Sequence, residues 1–239
     1  MKKSATLLFS ISVLVLLASL SSCNCKHGSG HLVTEVRNPG DFSKIDISGG
    51  YHVIIKQDSA ASSLTLTADD NLIQYIKTDL DGDKLTIHNT HRVCSSGEYT
   101  ITIRLKNLSY FKSSGAIEVT SDGKITTRDI EFNLSGSTKI ALNLNADNVN
   151  THCSGLTEFD LTGQAKSHNV DMSGSGTINA LDFVTGTYNI ESSGMSHCKI
   201  NVMNNLSVNS SGVSEIQYRG NPANINNNKS GVSSLQKID

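Results

Sequence analysis

The chain has 239 residues, of which 18% are charged, and a formal net charge of −2. An average soluble protein carries about 25% charged residues, and no basic stripe of the kind that grips a phosphate backbone runs through this one, which argues against nucleic acid as a partner. Polarity comes mostly from Asn, Ser and Thr, while Pro (2) and Trp (0) are nearly absent; evenly spaced apolar residues within such a composition indicate hydrogen-bonded strands and turns rather than disorder.

At the N-terminus, Lys2 and Lys3 precede an apolar stretch from Ala5 to Leu20. It is short and serine-rich for a membrane span and reads as a leader, to be set aside before any fold argument. The stretch ends in Leu20-Ser21-Ser22-Cys23, the pattern of a bacterial lipobox: an aliphatic residue, two small ones, then cysteine. On this reading residues 1–22 are a lipoprotein signal peptide and the Cys23 thiol takes a diacylglycerol. Several acyl chains on one residue hold firmly where a single chain is marginal. The alternative is an ordinary secretory signal that happens to contain a cysteine. Residues 23–41 then read as a lipidated tether, with Cys25, His27 and His31 in a polar, solvated stretch; the two histidines read better as solvated than as loose metal ligands. No pair among Cys25, Cys94, Cys153 and Cys198 has the C-x-x-C spacing of zinc or redox sites.

The folded body begins at Phe42. Between 42 and 112, apolar residues alternate in Ile45-Ile47, Val53-Ile55, Leu64-Leu66, Leu85-Ile87 and Ile101-Ile103-Leu105. Asp69-Asp70-Asn71, Asp81-Gly82-Asp83 and Ser95-Ser96-Gly97 punctuate them as turns. This region predicts long, irregular first coils that form an N-terminal cap within the same domain.

From 113 to 239 the chain repeats. A Ser-Gly pair recurs with its glycine at Gly115, Gly136, Gly155, Gly174, Gly194, Gly212 and Gly231, at spacings of 21, 19, 19, 20, 18 and 19. A fixed period of this length marks a stacked supersecondary unit. Counting from each Ser, positions −5, −3, −1, +5 and +7 are mostly apolar, as in Ile130-Phe132-Leu134 and Ile140-Leu142. That is period-two alternation with one buried face. Two such strands per coil of about 19 residues predict a single-domain, all-β parallel β-solenoid, each strand pairing with its equivalent one coil away, about 4.8 Å distant. The corner glycines answer either a positive φ or a close backbone approach, both of which exclude a Cβ. In the last coil Asn227 and Lys229 occupy inward slots, a polar closing layer that stops further strands from adding.

A solenoid turns sequence offsets into ladders. Position −4 supplies Asn150, Asn169 and Asn189, predicted to bond amide to amide along the stack. Position −2 places His152, Asp171 and Glu191 on three successive coils, the best candidate for a binding, metal or acid–base face. It is incomplete as a catalytic set, and the plainer reading is a solvated polar surface. Position +4 alternates Glu118, Lys139, Glu158, Thr177, His197 and Glu215 and predicts ordinary surface pairing. His168 falls inward and is expected to be a hydrogen-bonded core residue. Cys153 and Cys198 fall inward two coils apart, beyond disulfide reach, and are expected to be free buried thiols.

Three stretches carry a family resemblance: Phe42-Ser43-Lys44-Ile45 leading to Ser48-Gly49, the run Met172-Ser173-Gly174-Ser175-Gly176-Thr177-Ile178, and the ending from Tyr218-Arg219-Gly220-Asn221-Pro222 to Ser230-Gly231. The chain resembles the head GIN domain proteins, described as "putative auto-transporter adhesins" of Bacteroidetes envelopes. The resemblance covers nearly the whole chain after Cys23. It implies a right-handed β-helix and supplies no catalytic residues and no cofactor. The function expected is a non-catalytic envelope lipoprotein, anchored in the outer membrane, presenting a polar solenoid face to a glycan or to an envelope or host protein. The alternatives are a carbohydrate-active β-helix enzyme (a lyase or hydrolase) and a periplasmic regulatory or assembly role. Asn24-Cys25-Lys26-His27 lacks the acidic run that often follows the lipidated cysteine in surface-exported lipoproteins; this leans toward the periplasmic face and leaves the face open.

Overall fold

The computed structural model describes residues 25–60, 62–94, 97 and 99–239. The leader 1–22, Cys23, and Ser95-Ser96 of one expected turn lie outside the described residues. The remainder is one all-β domain, a β-solenoid of about six turns.

Its irregular end contains strands β1 (Lys26–His27), β2 (Leu32–Arg37), β3 (Lys44–Gln57), β4 (Ser63–Asp69), β5 (Ile76–Asp81), β6 (Lys84–Asn89), β7 (Val93–Cys94) and β8 (Thr100–Leu105). Its regular part is β9 (Tyr110–Thr126), β10 (Asp129–Met172), β11 (Ser175–Ser192), β12 (Met195–Ser210), β13 (Val213–Arg219), β14 (Asn224–Lys229) and β15 (Val232–Lys237). Strand β10 runs through 44 residues because its corners stay in the parallel ladder. Pairing through the regular coils is parallel, and in register about the Ser-Gly corners: Gly49 stands on Gly115, Gly115 on Gly136, and Phe159, Ile178 and Cys198 follow one another up the stack, with register shifts on the far side of the coils, as between Asp160 and Gly163.

Every inward position named from the alternation between Ile130 and Ile216 is buried. Phe111, Phe132 and Phe159 form an aromatic column inside, with ring centroids 6.5 and 5.2 Å apart. Each such side chain contributes roughly 1.5–3 kcal/mol by leaving water. At the corners the chain bends between positions −1 and +3, whose side chains converge within. Where both are polar they satisfy each other: Ser113 with Thr138 at 2.9 Å, Ser192 with Ser196 at 3.0 Å, and Ser210 with Ser214 at 2.5 Å.

The glycine column is explained chiefly by this stacking. A Cβ on any of Gly115, Gly136, Gly155, Gly174, Gly194, Gly212 or Gly231 would strike the backbone carbonyl oxygen of the corner glycine below it. Positive φ is a second reason at Gly155 (φ 120°) and is absent at Gly174.

The N-terminal end departs from the sequence reading in two respects. First, chain order is not stacking order. Strands β6 and β8 together make one coil, each parallel to a part of β3, and β3 lies between that coil and β9. The capping strands are antiparallel: β5 on β6, β4 on β8, and β2 on β4 at the extreme end. Such pairs close the end of the core without continuing the winding. Second, the tether expected over 23–41 is largely folded. Lys26–His27 pairs with Val93–Cys94, Leu32–Arg37 is the terminal strand, and Cys25 is disulfide-bonded to Cys94. At the other end β14 is exposed throughout, with Asn227 and Lys229 in the closing layer as expected.

Candidate binding surfaces

Outward side chains at alternate positions stand in columns, and the backbone between two columns forms the floor of a trough. The first trough runs between positions −4 and −2. Its −4 wall is the asparagine ladder: Asn169 Nδ2 donates to Asn150 Oδ1 at 2.8 Å and Asn189 Nδ2 to Asn169 Oδ1 at 2.7 Å. Each amide is thereby fixed in orientation. Its −2 wall carries the predicted trio. His152 Nδ1 lies 3.7 Å from Asp171 Oδ2, and Asp171 is in register with Glu191 one coil on. With Asn209 and Asn228 these columns enclose about 510 Å³. The His152 and Asp171 side chains are more than half exposed, so water screens them. Among the described residues, no three His, Cys, Asp or Glu side chains converge as a metal ion requires.

A second trough, between positions +2 and +4, was not singled out from the sequence. Its +2 wall starts with small residues, Gly50, Ala116 and Ser137, then carries Leu156, a break at Ser175, and the aliphatic run Met195, Val213 and Val232 in register on successive coils. The four large ones are 55–75% exposed. Its +4 wall is the expected ladder of Glu118, Lys139, Glu158, Thr177, His197 and Glu215, which the structure extends to His52 in register with Glu118. There Lys139 Nζ lies 3.6 Å from Glu158 Oε1, and His197 Nδ1 lies 3.2 Å from Glu215 Oε2. Scattered exposed apolar residues need no explanation, whereas a contiguous column of them marks an interaction surface.

At its N-terminal end this trough passes under a roof. In the coil made by β6 and β8 an excursion of the chain replaces the Ser-Gly corner, and β7 lies within it. Thr90, His91, Arg92 and Val93 overhang the small residues of the +2 wall and enclose a cleft of about 1020 Å³. Two side chains of this end are tied down: Tyr51 Oη donates to Asn89 Oδ1 at 2.5 Å, and Tyr99 Oη donates to Asp69 Oδ2 at 2.5 Å. Burial pushes the Tyr51 phenol up, so it remains a neutral donor. The Cys25–Cys94 disulfide fastens the roof from outside. Cleft and open trough share Leu156's neighbours Ser175 and Thr177, so one continuous surface extends from the roof to the C-terminal cap.

The family match follows this architecture. Residues 41–222 match the model of the family described as "Putative auto-transporter adhesin, head GIN domain". The chain belongs to that family. The match opens beside Phe42 and closes at Pro222 of the Gly-Asn-Pro sequence, so the roofed cleft and most of both troughs are head GIN structure. Among solved structures, a "putative adhesin" from Bacteroides fragilis superimposes with a TM-score of 0.83 at 20% identity, over 89% of this chain and 100% of that one. A "putative lipid binding protein" from Parabacteroides distasonis gives 0.72 at 21%, over 90% and 100%. A "putative adhesin" from Parabacteroides merdae gives 0.71 at 20%, over 90% and 99%. No curated protein matches the chain. At these identities the likeness concerns the fold, and one fold hosts different functions.

Within the head GIN core His168, Cys153 and Cys198 are buried. His168 is fully buried; its Nε2 lies 3.0 Å from Thr151 Oγ1, and burial pulls its pKa down to about 3. Its ring packs 4.8 Å from that of Tyr188. Cys153 and Cys198 are free and buried, as expected, and desolvation pushes both thiols up to about 12. All three are uncharged interior groups, remote from solvent chemistry.

Proposed function

We propose that this head GIN protein is a non-catalytic, lipid-anchored envelope adhesin that holds an extended partner along the +2/+4 trough. The observation carrying this is the continuity of that trough: a wall that is small at the roofed cleft and mostly aliphatic from Leu156 on runs in register with a largely charged wall to the C-terminal cap. A rigid parallel stack presents these side chains at a fixed repeat of about 4.8 Å, so little ordering cost accompanies contact. Among the described residues the trough has no exposed tryptophan or phenylalanine on which a sugar ring would stack, and its mostly aliphatic wall suits a protein segment; the asparagine trough offers the amides and carboxylates that suit a glycan. In this reading Cys23 carries the lipid, the outer membrane is the site of anchoring, and the solenoid faces outward.

Digestion of intact cells with a protease, beside a lysed control, tests it. Loss of the protein from intact cells is the expected result. Protection until lysis would overturn adhesion and leave a periplasmic scaffolding role.

One observation favours a second reading, a carbohydrate-active enzyme. The cleft gathers Glu118, Glu158 and Arg92 under one roof. However, the two carboxylates stand on coils two apart, about 10 Å, and Lys139 stands between them and pairs with Glu158. Release of reducing sugar from a polysaccharide panel, abolished by Glu118→Gln or Glu158→Gln, would establish the enzyme.

A further inference from the structure

The fold leaves almost no slack between the proposed anchor and the solenoid. Cys25 is bonded to Cys94, 69 residues away, and Lys26 N donates to Arg92 O at 2.9 Å. The next residues are laced to the β4 turn: Ser29 Oγ donates to Asp70 at 2.6 Å, Gly30 N to Asp69 at 2.9 Å, and Asn71 Nδ2 to His27 O at 2.9 Å. Strand β2 follows at once and ends the sheet, paired on one side only. Its inner face, Val33, Glu35 and Arg37, stands over buried Ala68, Leu66 and Leu64. Its outer face carries Leu32 and Val36, 56% and 62% exposed, with Thr34 between them. Glu35 and Arg37, ion-paired at 2.7 Å on the inner face, blunt this unpaired strand against further pairing, but its outer face stays apolar and exposed.

The reach of the chain says what can cover that face. From Cys23 to Cys25 is two residues, at most about 7 Å when fully extended. Were the disulfide open and residues 26–31 undocked, the first fixed residue would be Leu32, nine residues from Cys23, and the reach would be about 30 Å. We infer that the N-terminal cap seats directly on the bilayer, with Leu32 and Val36 of β2 in the lipid interface, and that the Cys25–Cys94 disulfide is the clamp that holds it there. The inference rests on the proposed acylation of Cys23. It fixes the orientation of the whole molecule: the roofed cleft lies at the membrane end, and the trough runs from it toward the distal C-terminal cap. With the disulfide closed the solenoid stands upright; with it open and residues 26–31 undocked, the solenoid hangs on a long leash.

The chain has no tryptophan, so single-indole variants report one site each. The full-length lipoprotein carrying Val36→Trp, or Leu32→Trp as a second probe, is purified from membranes. It is then reconstituted in phosphatidylethanolamine–phosphatidylglycerol vesicles containing lipid brominated near the headgroup. Val232→Trp, at the opposite end, is the reference. Interfacial burial of the β2 face predicts about twofold quenching at positions 36 and 32 and none at 232. Disulfide reduction, or a Cys25→Ser/Cys94→Ser background, leaves only hydrogen bonds to hold residues 26–31 and should lower the quenching at position 36. Mass spectrometry of the N-terminal peptide is run in parallel. Acyl mass on Cys23 with no greater quenching at 36 and 32 than at 232 would overturn the seated cap and leave the anchor standing. Absence of acyl mass would overturn both.

Discussion

Gly174→Ala isolates the force that fixes the corner column. Gly174 has no positive φ, so alanine brings no backbone strain of its own. Its Cβ, however, would collide with the Gly155 carbonyl oxygen and amide nitrogen and come within 3.0 Å of the carbonyl carbon, all of them backbone atoms that cannot rotate away. The coils must part locally, which strains bonds such as Ser173 N to Cys153 O, 2.9 Å. Overpacking of this kind costs about 1–3 kcal/mol, and each weakened hydrogen bond adds roughly 0.5–1.5 kcal/mol. A loss near 3 kcal/mol is expected, less about 0.5 for the stiffer unfolded chain. For a domain of this size that is a fall in Tm of about 5–10 °C. Gly123 has φ 92° with nothing within 4 Å of its would-be Cβ, so Gly123→Ala measures the backbone term alone, about 1–2 kcal/mol. Gly155→Ala, with φ 120° and a stacking clash together, should be the worst of the three. The assay is urea or thermal unfolding followed by far-UV circular dichroism. A Gly174→Ala protein within about 0.5 kcal/mol of the parent would refute the stacking argument.

Three further outcomes are expected. His168 has a folded pKa pulled down to about 3 against about 6.5 when unfolded, so between these values the unfolded state binds the extra proton and stability falls as pH drops, by about 1.4 kcal/mol per unit; urea midpoints at pH 7 and 5 should differ by roughly 2 kcal/mol, and a His168→Asn variant that keeps the whole difference would rule this residue out as its source. The thiols of Cys153 and Cys198, pushed up to about 12, should resist Ellman's reagent in the native protein and both react after denaturation; fast native reaction would mean that the core is open there. Asn169→Asp should cost about 1 kcal/mol by removing the donor to Asn150 Oδ1, measured as a shift in urea midpoint, and an unchanged midpoint would show that the ladder is ornamental to stability.

The regular coils were legible because a solenoid repeats its register: the Ser-Gly period located every corner, and alternation about it named the inward residues. The asparagine ladder, the −2 trio on adjacent coils, the core position of His168 and the two free thiols all followed from offsets alone. The apolar wall of the second trough was legible by the same device. Leu156, Met195, Val213 and Val232 each stand two residues after a corner Ser, but exposed aliphatics look like noise until they are read as a column. What could not be read lies where the period fails. Strand β3 stacks between β9 and a coil that comes later in the sequence, a crossover that no local pattern encodes. Cys25 and Cys94 meet only because that cap folds back, so residues polar enough to suggest a tether turned out to be strapped to the body.

The central claim is that the molecule binds through the +2/+4 trough. The most direct measurement is adherence of cells displaying the wild-type chain, or its Met195→Asp/Val213→Asp variant, to protein-coated and glycan-coated surfaces. Both substituted side chains are more than half exposed, so Tm should hold within a few degrees. Adherence to a protein surface that falls at least about tenfold, the equivalent of 1.4 kcal/mol, is the result this account predicts. Adherence unchanged in the variant, at equal display, would contradict it.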